Sequence, residues 1–178
     1  MTSADIAVLI EKWVRPISDW PLPGVTFRDI TPLLAQAEAF ATVIDALASA
    51  GEELGPVDAV LGIEARGFIV GAPVALRLGA GFVPVRKEGS LPSETLSVSY
   101  ALEYGEATVQ IHADAVQPGD RVLVVDDLLA TGGTLEAADA LVAQAGATVA
   151  GHVVIIELPA LGGRSRLGDV PLRSLASF

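Results

Sequence analysis

Cysteine is absent from all 178 residues, which rules out disulfides and zinc sites built on thiolates. Only two histidines occur, His112 and His152, far apart in the chain, so a histidine-based metal cluster is not expected. Each reads as a strand residue in ordinary packing. Positive charge is scarce as well: 11 Lys and Arg stand against 22 Asp and Glu, a formal net charge of −11. Nucleic-acid backbones are gripped by clustered Lys and Arg, and no basic stripe runs through this chain, so no nucleic-acid partner is expected. Hydrophobic residues make up 51% of the chain. Even so, no uninterrupted apolar stretch approaches the ~20 residues needed to cross a bilayer, so no membrane partner is expected. Asp5 and Glu11 stand where a secretion signal would be basic and apolar, which points to a soluble, cytoplasmic protein. Two nucleotide motifs are missing, the G-x-x-x-x-G-K-[ST] triphosphate loop and the G-x-G-x-x-G dinucleotide fingerprint.

What is present is concentrated in Arg121-Val-Leu-Val-Val-Asp-Asp-Leu-Leu-Ala-Thr-Gly-Gly-Thr134. Val122 to Val125 is wholly apolar and mostly β-branched, as in a central parallel strand covered on both faces. Asp126 and Asp127 then fall at its carboxyl end, where open α/β sheets bind ligands. Gly132 and Gly133 let a ligand approach the backbone, Thr131 and Thr134 add hydroxyl donors, and a helix over about Leu135 to Ala145 aims its free amides at the same place. That is an anion site, and the helix dipole contributes ~0.3–1 kcal/mol at a surface position. Two carboxylates beside a phosphate site make sense when they accept hydrogen bonds from sugar hydroxyls or act near a cation. A ribose 5-phosphate offers both groups at the right separation. The bland alternative is a capped turn with a tight Thr-Gly-Gly-Thr connection.

The rest of the chain reads as one domain, 1–178, in which strand and helix alternate. At this length ~70% of the unfolded surface is buried, so no staple is needed. An amphipathic helix carries Ile6, Leu9, Ile10, Trp13 and Val14 and ends before Pro16. Pro21, Pro23 and Gly24 make a rigid irregular stretch. A second helix, about Ala37 to Ala50, stops at Gly51. A strand over Val57 to Ile63, a helix over Gly67 to Leu78 kinked by Pro73, and a strand over Gly81 to Val85 follow. Lys87 to Glu94 reads as a mobile tip on a β-ribbon whose alternating arms are Leu96 to Tyr100 and Ala107 to Ile111. Thr148 to Glu157 supplies another buried strand.

At the aspartate-glycine segment the chain resembles the phosphoribosyl pyrophosphate (PRPP) motif of type I phosphoribosyltransferases. Pro21-Leu-Pro-Gly-Val-Thr-Phe-Arg-Asp-Ile-Thr-Pro-Leu-Leu34, Gly62-Ile-Glu-Ala-Arg-Gly-Phe68, Arg86-Lys87 and Tyr100-Ala-Leu-Glu-Tyr-Gly105 fall in the order seen in adenine phosphoribosyltransferases, from about Trp20 to the C-terminus. The resemblance implies an α/β fold of the type I kind: a central, mostly parallel sheet flanked by helices. A hood at about 16–36 and a flexible β-ribbon lid at about 86–106 complete it. It implies a glycosyltransferase of purine salvage that moves the 5-phosphoribosyl group from PRPP to N9 of adenine, giving AMP and pyrophosphate. Asp126, Asp127, Ala130, Thr131, Gly132, Gly133 and Thr134 would hold the ribose phosphate. Glu64, Ala65, Arg66, Arg86 and Lys87 would hold pyrophosphate, with a strained non-proline cis peptide near Glu64-Ala65. Thr26, Phe27 and Leu128 would bind adenine, Tyr104 would be the lid aromatic, and Glu103 and Arg66 would be catalytic. Mg2+ would ride mainly on the substrate rather than on protein ligands, and the partners would be adenine, PRPP and a second copy of the chain. One departure is Ser90, where family members often carry lysine; with Glu88 and Glu94 it leaves the tip little positive charge. Rival expectations are a 6-oxopurine phosphoribosyltransferase (xanthine, hypoxanthine or guanine) and a non-catalytic regulator that senses PRPP.

Overall fold

The computed structural model describes residues 2–101 and 105–178. In chain order the elements are α1 (Ser3–Trp13), β1 (Arg15–Ser18), β2 (Thr26–Asp29), α2 (Thr31–Leu34), α3 (Ala37–Glu52), β3 (Ala59–Ile63), α4 (Arg66–Leu78), β4 (Gly81–Lys87), β5 (Thr95–Ala101), β6 (Glu106–His112), β7 (Arg121–Leu129), α5 (Gly133–Gln144), β8 (Thr148–Glu157) and β9 (Leu172–Ser177). Two short 3-10 helices, Pro159–Leu161 and Gly163–Leu167, lie between β8 and β9.

A seven-stranded sheet in the order β5-β6-β4-β3-β7-β8-β9 forms the centre. Five neighbours, β4 to β9 in that order, are parallel. The β5–β6 ribbon adds to the β4 edge in antiparallel fashion. This is the α/β class expected, and β3, β7 and β8 are apolar on both faces because helices cover both. Leu123 and Val125 enter one core with Val43, Leu47, Val70 and Val74, under α3 and α4. Val122 and Val124 enter the other with Leu135, Ala138 and Leu141, under α5.

α4 and α5 thus lie on opposite faces, although they follow adjacent parallel strands. Between the carboxyl ends of β3 and β7 the winding reverses, and such a switch point opens a crevice. Register widens it. β7 pairs with β3 only as far as Val125 but with β8 as far as Leu129, so Asp126 and Asp127 lie on an overhang.

Several boundaries differ from the sequence expectation. β7 does not end at Val125, because pairing with β8 carries it four residues further. α3 runs through Gly51 to Glu52. Gly51 is buried there because a Cβ would sit 2.7 Å from Leu123 Cδ2, so it serves close packing rather than a stop. α4 runs on past Pro73 and ends at Gly79, which takes the left-handed φ of 66° that suits glycine. The irregular proline stretch is the connection of an antiparallel pair, β1 with β2. Its base is pinned by Arg15, which donates to Asp29 Oδ2, while Asp29 Oδ1 accepts the Thr31 amide at 2.9 Å. β5 and β6 pair from Thr95–His112 to Ala101–Glu106, so these two strands are the arms of the ribbon, and 88–94 links β4 to β5 rather than forming its tip.

Gly62 lets the start of α4 sit directly on β3: a Cβ there would lie 2.8 Å from the Gly67 carbonyl oxygen and 2.7 Å from the Phe82 ring. Gly62→Ala is therefore expected to lower stability by about 1–3 kcal/mol, the usual cost of overpacking. A urea midpoint unchanged from the parent would contradict this packing.

Candidate functional site

A cavity of about 350 Å³ occupies the crevice. Its walls come from three segments: Ile63 to Arg66 after β3, Asp126 to Leu129 on the overhang, and Ala130 to Leu135 leading into α5, with Tyr100 closing it from the ribbon. Strand ends and helix starts alone make such a wall polar, because their backbone amides lack partners within the helix.

The phosphate-type loop owes its shape to glycine. Gly132 holds φ at 86° at the N-cap of α5, and a Cβ there would sit 2.6 Å from the Gly163 carbonyl oxygen. A Cβ at Gly163 would in turn overlap the Ala130 carbonyl oxygen. Two backbones are therefore in direct contact beneath the loop. The 3-10 segment carrying Gly163 is itself anchored by Arg164, which donates to both oxygens of buried Glu157 at 3.0 and 2.6 Å. Ser174 adds a donor at 2.8 Å. Arg164, desolvation notwithstanding, holds the Glu157 carboxyl below its usual range.

The two aspartates are not equivalent. Asp127 is 3% exposed and accepts from Arg66 Nε at 2.5 Å. Asp126 Oδ1 accepts the Asp127 amide at 2.9 Å. Burial first, and the neighbouring Asp127 charge second, push the Asp126 carboxyl well above the usual aspartate range, against smaller opposing pulls from the Asp127 amide and then from Arg66. One guanidinium thus balances one of two adjacent carboxylates. Arg66 also lies over the Phe27 ring, 5.2 Å from its centroid, while Trp20 packs on that ring edge-on at 4.7 Å.

Glu64 and Ala65 are joined by a cis peptide bond. The Glu64 carboxylate turns toward β4, accepting the Lys87 amide at 3.0 Å and Arg86 Nε at 2.9 Å; these two partners, in that order, hold it below its ordinary range.

Among the residues expected to act, the crevice brings together Glu64, Ala65, Arg66, Asp126, Asp127, Leu128, Ala130, Thr131, Gly132 and Thr134. Gly133 is buried under the loop as the first residue of α5. Thr26 and Phe27 lie on β2, outside the cavity wall, and Phe27 meets the site through Arg66. Arg86 and Lys87 meet it through Glu64, and a second cavity of about 340 Å³ opens beside Lys87 and Glu88. Glu103 and Tyr104 lie outside the described residues. Sequence reasoning passed over Tyr100. Its signal was available: in the alternating strand β5 it shares a face with Leu96 and Val98, which pack on the core under α5.

What this arrangement can do follows from its parts. An anion fits the glycine loop at a helix start, vicinal hydroxyls fit the aspartates, and a guanidinium beside them can neutralise a second anion. The comparisons agree with that chemistry. A phosphoribosyl transferase domain profile matches residues 31–175. An adenine phosphoribosyltransferase of Thermobifida fusca is 60% identical over 177 residues, covering 98% of this chain and 99% of that protein. The crystal structure of adenine phosphoribosyltransferase from Rhodothermus marinus is similar with a TM-score of 0.92 at 46% identity, covering 98% of this chain and 99% of that one. The Saccharomyces cerevisiae enzyme, complexed with an imino-altritol bisphosphate and adenine, also gives 0.92, at 38% identity over 97% of this chain and 99% of that one.

Because Gly163 supports the loop by backbone contact, Gly163→Ala is expected to disturb Ala130 to Gly132 as well as the fold. Both a lower melting temperature and weaker binding of inorganic phosphate should follow in calorimetry. A destabilised variant with unchanged phosphate affinity would show that the loop does not depend on its support.

Proposed function

This chain belongs to the adenine phosphoribosyltransferase family, and on that premise we propose that it transfers the 5-phosphoribosyl group of PRPP to N9 of adenine, forming AMP and pyrophosphate in purine salvage. The observation that carries the reading is the crevice at the sheet's switch point, where the Asp126–Asp127 pair, the glycine loop and Arg66 share one cavity.

The residues divide the work by charge. Thr131 to Thr134 and the first amides of α5 bind the 5-phosphate, whose negative charge suits a helix start. Asp126 and Asp127 accept the ribose hydroxyls. The glycosidic carbon passes through an oxocarbenium-like state as its bond to pyrophosphate breaks and the bond to N9 forms, as at other glycosidic centres. Charge builds on the leaving pyrophosphate, and Arg66 is the cation in the crevice that meets it. Glu103 is assigned the proton given up at the purine imidazole, a role typically worth 10²–10⁴-fold. Phe27 and Leu128 are assigned the two faces of the base, with Thr26 main-chain atoms on its edge; a base stacking on Phe27 takes the face that Arg66 covers. The ribbon, with Tyr104, and the β1–β2 hood keep water from the activated sugar.

Magnesium is a hard cation that takes oxygen ligands and keeps waters. Asp127 is already committed to Arg66, so the ion is assigned mainly to pyrophosphate and ribose oxygens of the substrate. The same reading includes a cytoplasmic setting and a homodimer. The dimer is supported by Ile69 and Leu76, 45% and 83% exposed on α4, whose helix also carries half-buried Pro73 on that side. Sedimentation of the active enzyme should give a dimer; a strict monomer with full activity overturns that part.

The activity test is pyrophosphate release from PRPP with adenine and magnesium, in competition with hypoxanthine. Adenine should be preferred, and preference for the 6-oxopurine would overturn the assignment. Glu103→Gln should act mainly on kcat, by about 10²–10⁴-fold.

Asp126 gives a sharper test, because its sign can be worked out. A carboxyl raised by the fold is favoured in its neutral form, so its contribution to stability is complete at low pH and is lost as pH rises through the folded value. Asp126→Asn mimics the neutral form. It is expected to raise the melting temperature near neutral pH and to lose that advantage in acid. It should raise KM for PRPP by about 10–100-fold where the wild-type carboxylate is ionised, the loss of charged hydrogen bonds, with the gap to wild type narrowing as pH falls through the raised value. Loss of adenine affinity alone would contradict the ribose role.

A further inference from the structure

We propose that Tyr100 is a positioning residue for the phosphate loop, acting through the hydroxyl of Thr134. The proposal rests on the reading of Thr131 to Thr134 as the 5-phosphate site and adds a residue from outside that motif. Tyr100 Oη and Thr134 Oγ1 are 3.3 Å apart, across 34 residues of chain. The phenol ring covers Gly133: a Cβ there would approach Tyr100 Cδ2 to 3.3 Å. Both residues line the main cavity, and both line the second cavity beside Lys87. The Tyr100–Thr134 contact is thus a partition shared by the two spaces.

Hydrogen-bond direction gives this contact its consequence. A hydroxyl has one proton and two lone pairs, so Thr134 can donate to a phosphate oxygen and still accept from a neighbour. A phosphate is acceptor only toward it at neutral pH, and the phenol is a stronger donor than an aliphatic hydroxyl. The chain therefore runs from Tyr100 to Thr134 to phosphate, each bond polarising the next. Without the phenol the threonine hydroxyl is free to turn toward other acceptors, and part of its ordering falls on the ligand. Sites of this kind often show long separations before the ligand binds and tighten on binding. The ring alone packs equally well in phenylalanine, so packing and positioning can be separated.

The experiment is a double-mutant cycle with ribose 5-phosphate as the probe, titrated calorimetrically into wild type, Tyr100→Phe, Thr134→Ala and the double variant. Tyr100→Phe is expected to weaken binding about three- to ten-fold with an unchanged melting temperature. In the Thr134→Ala background the same change should have no further effect, and in a Thr134→Ser background, which keeps the hydroxyl, the effect should return. Equal weakening in all backgrounds, or none in wild type, overturns the positioning role while leaving the phosphate site intact. If folded wild type fails to bind ribose 5-phosphate at all, the site reading beneath it fails, and the proposal with it.

Discussion

The constraint on which the rest depends is a difference in strand length. β7 outruns β3 by the residues that matter, because its pairing with β8 continues to Leu129 after its pairing with β3 has ended at Val125. Asp126 and Asp127 are thereby carried past the neighbouring strand on a backbone still held from one side. α4 and α5 leave on opposite faces at the same level, so two helix starts flank a single overhang. Charge then has to be arranged where burial is uneven: the Asp127 side chain is buried, while that of Arg66 is 42% exposed. Arg66 is the first residue of α4, which puts its guanidinium within reach of Asp127 without any loop of its own. A shift of one residue in either strand would separate that pair.

Support for the glycine loop comes from the far end of the chain. Gly163 meets Ala130 and Gly132 backbone to backbone, and Arg164, one residue on, is locked to Glu157 at the end of β8. A buried carboxylate paired bidentately is poor evidence of net stability, since desolvation offsets much of the attraction. Its effect here is positional: it fixes where Gly163 lies, and through it the curvature of Ala130 to Gly132. Loop shape is thus set by a layer behind it, which is how a flexible sequence such as Thr-Gly-Gly-Thr is held in one conformation, as the proposed anion site requires.

Legibility in the sequence followed the strength of local patterning. The apolar run before Asp126, the glycine pair and the helix after it were readable because each leaves a periodic or chemical mark within fifteen residues. The crevice residues Glu64 to Arg66 were readable for the same reason, since they also follow a buried strand. Gly51 misled because a glycine near a helix end usually caps it, whereas here it makes room for Leu123. β1 and β2 left no period-two mark: β1 is exposed along its whole length, so no alternation could show. β9 was missed although it completes the parallel sheet beside β8. Gly162 and Gly163 look like an ordinary turn, and the contact of Gly163 with Ala130 is tertiary, so no window of sequence contains it. Tyr100 was legible by strand alternation, which places it on the core face of β5 with Leu96 and Val98.

An acidic enzyme for a polyanionic substrate needs a physical account. Net charge acts over distances that salt shortens, to ~8 Å at physiological ionic strength, so the −11 of the whole chain contributes little inside a crevice. The charges that line the crevice are local: the amide-rich start of α5, the guanidinium of Arg66 and two carboxylates. Were both aspartates fully charged before binding, they would oppose the phosphates on either side. Asp127 is neutralised by Arg66, and burial beside that charge favours the proton on Asp126. In the proposed function, ribose hydroxyls would supply the donors that favour the ionised form of Asp126. On that proposal the cost of the second negative charge would fall on the complex and not on the free protein, and sugar binding would be linked to loss of a proton. An amide of the same shape would carry no repulsion, but it would also lack the charged acceptor that the proposed ribose contact calls for.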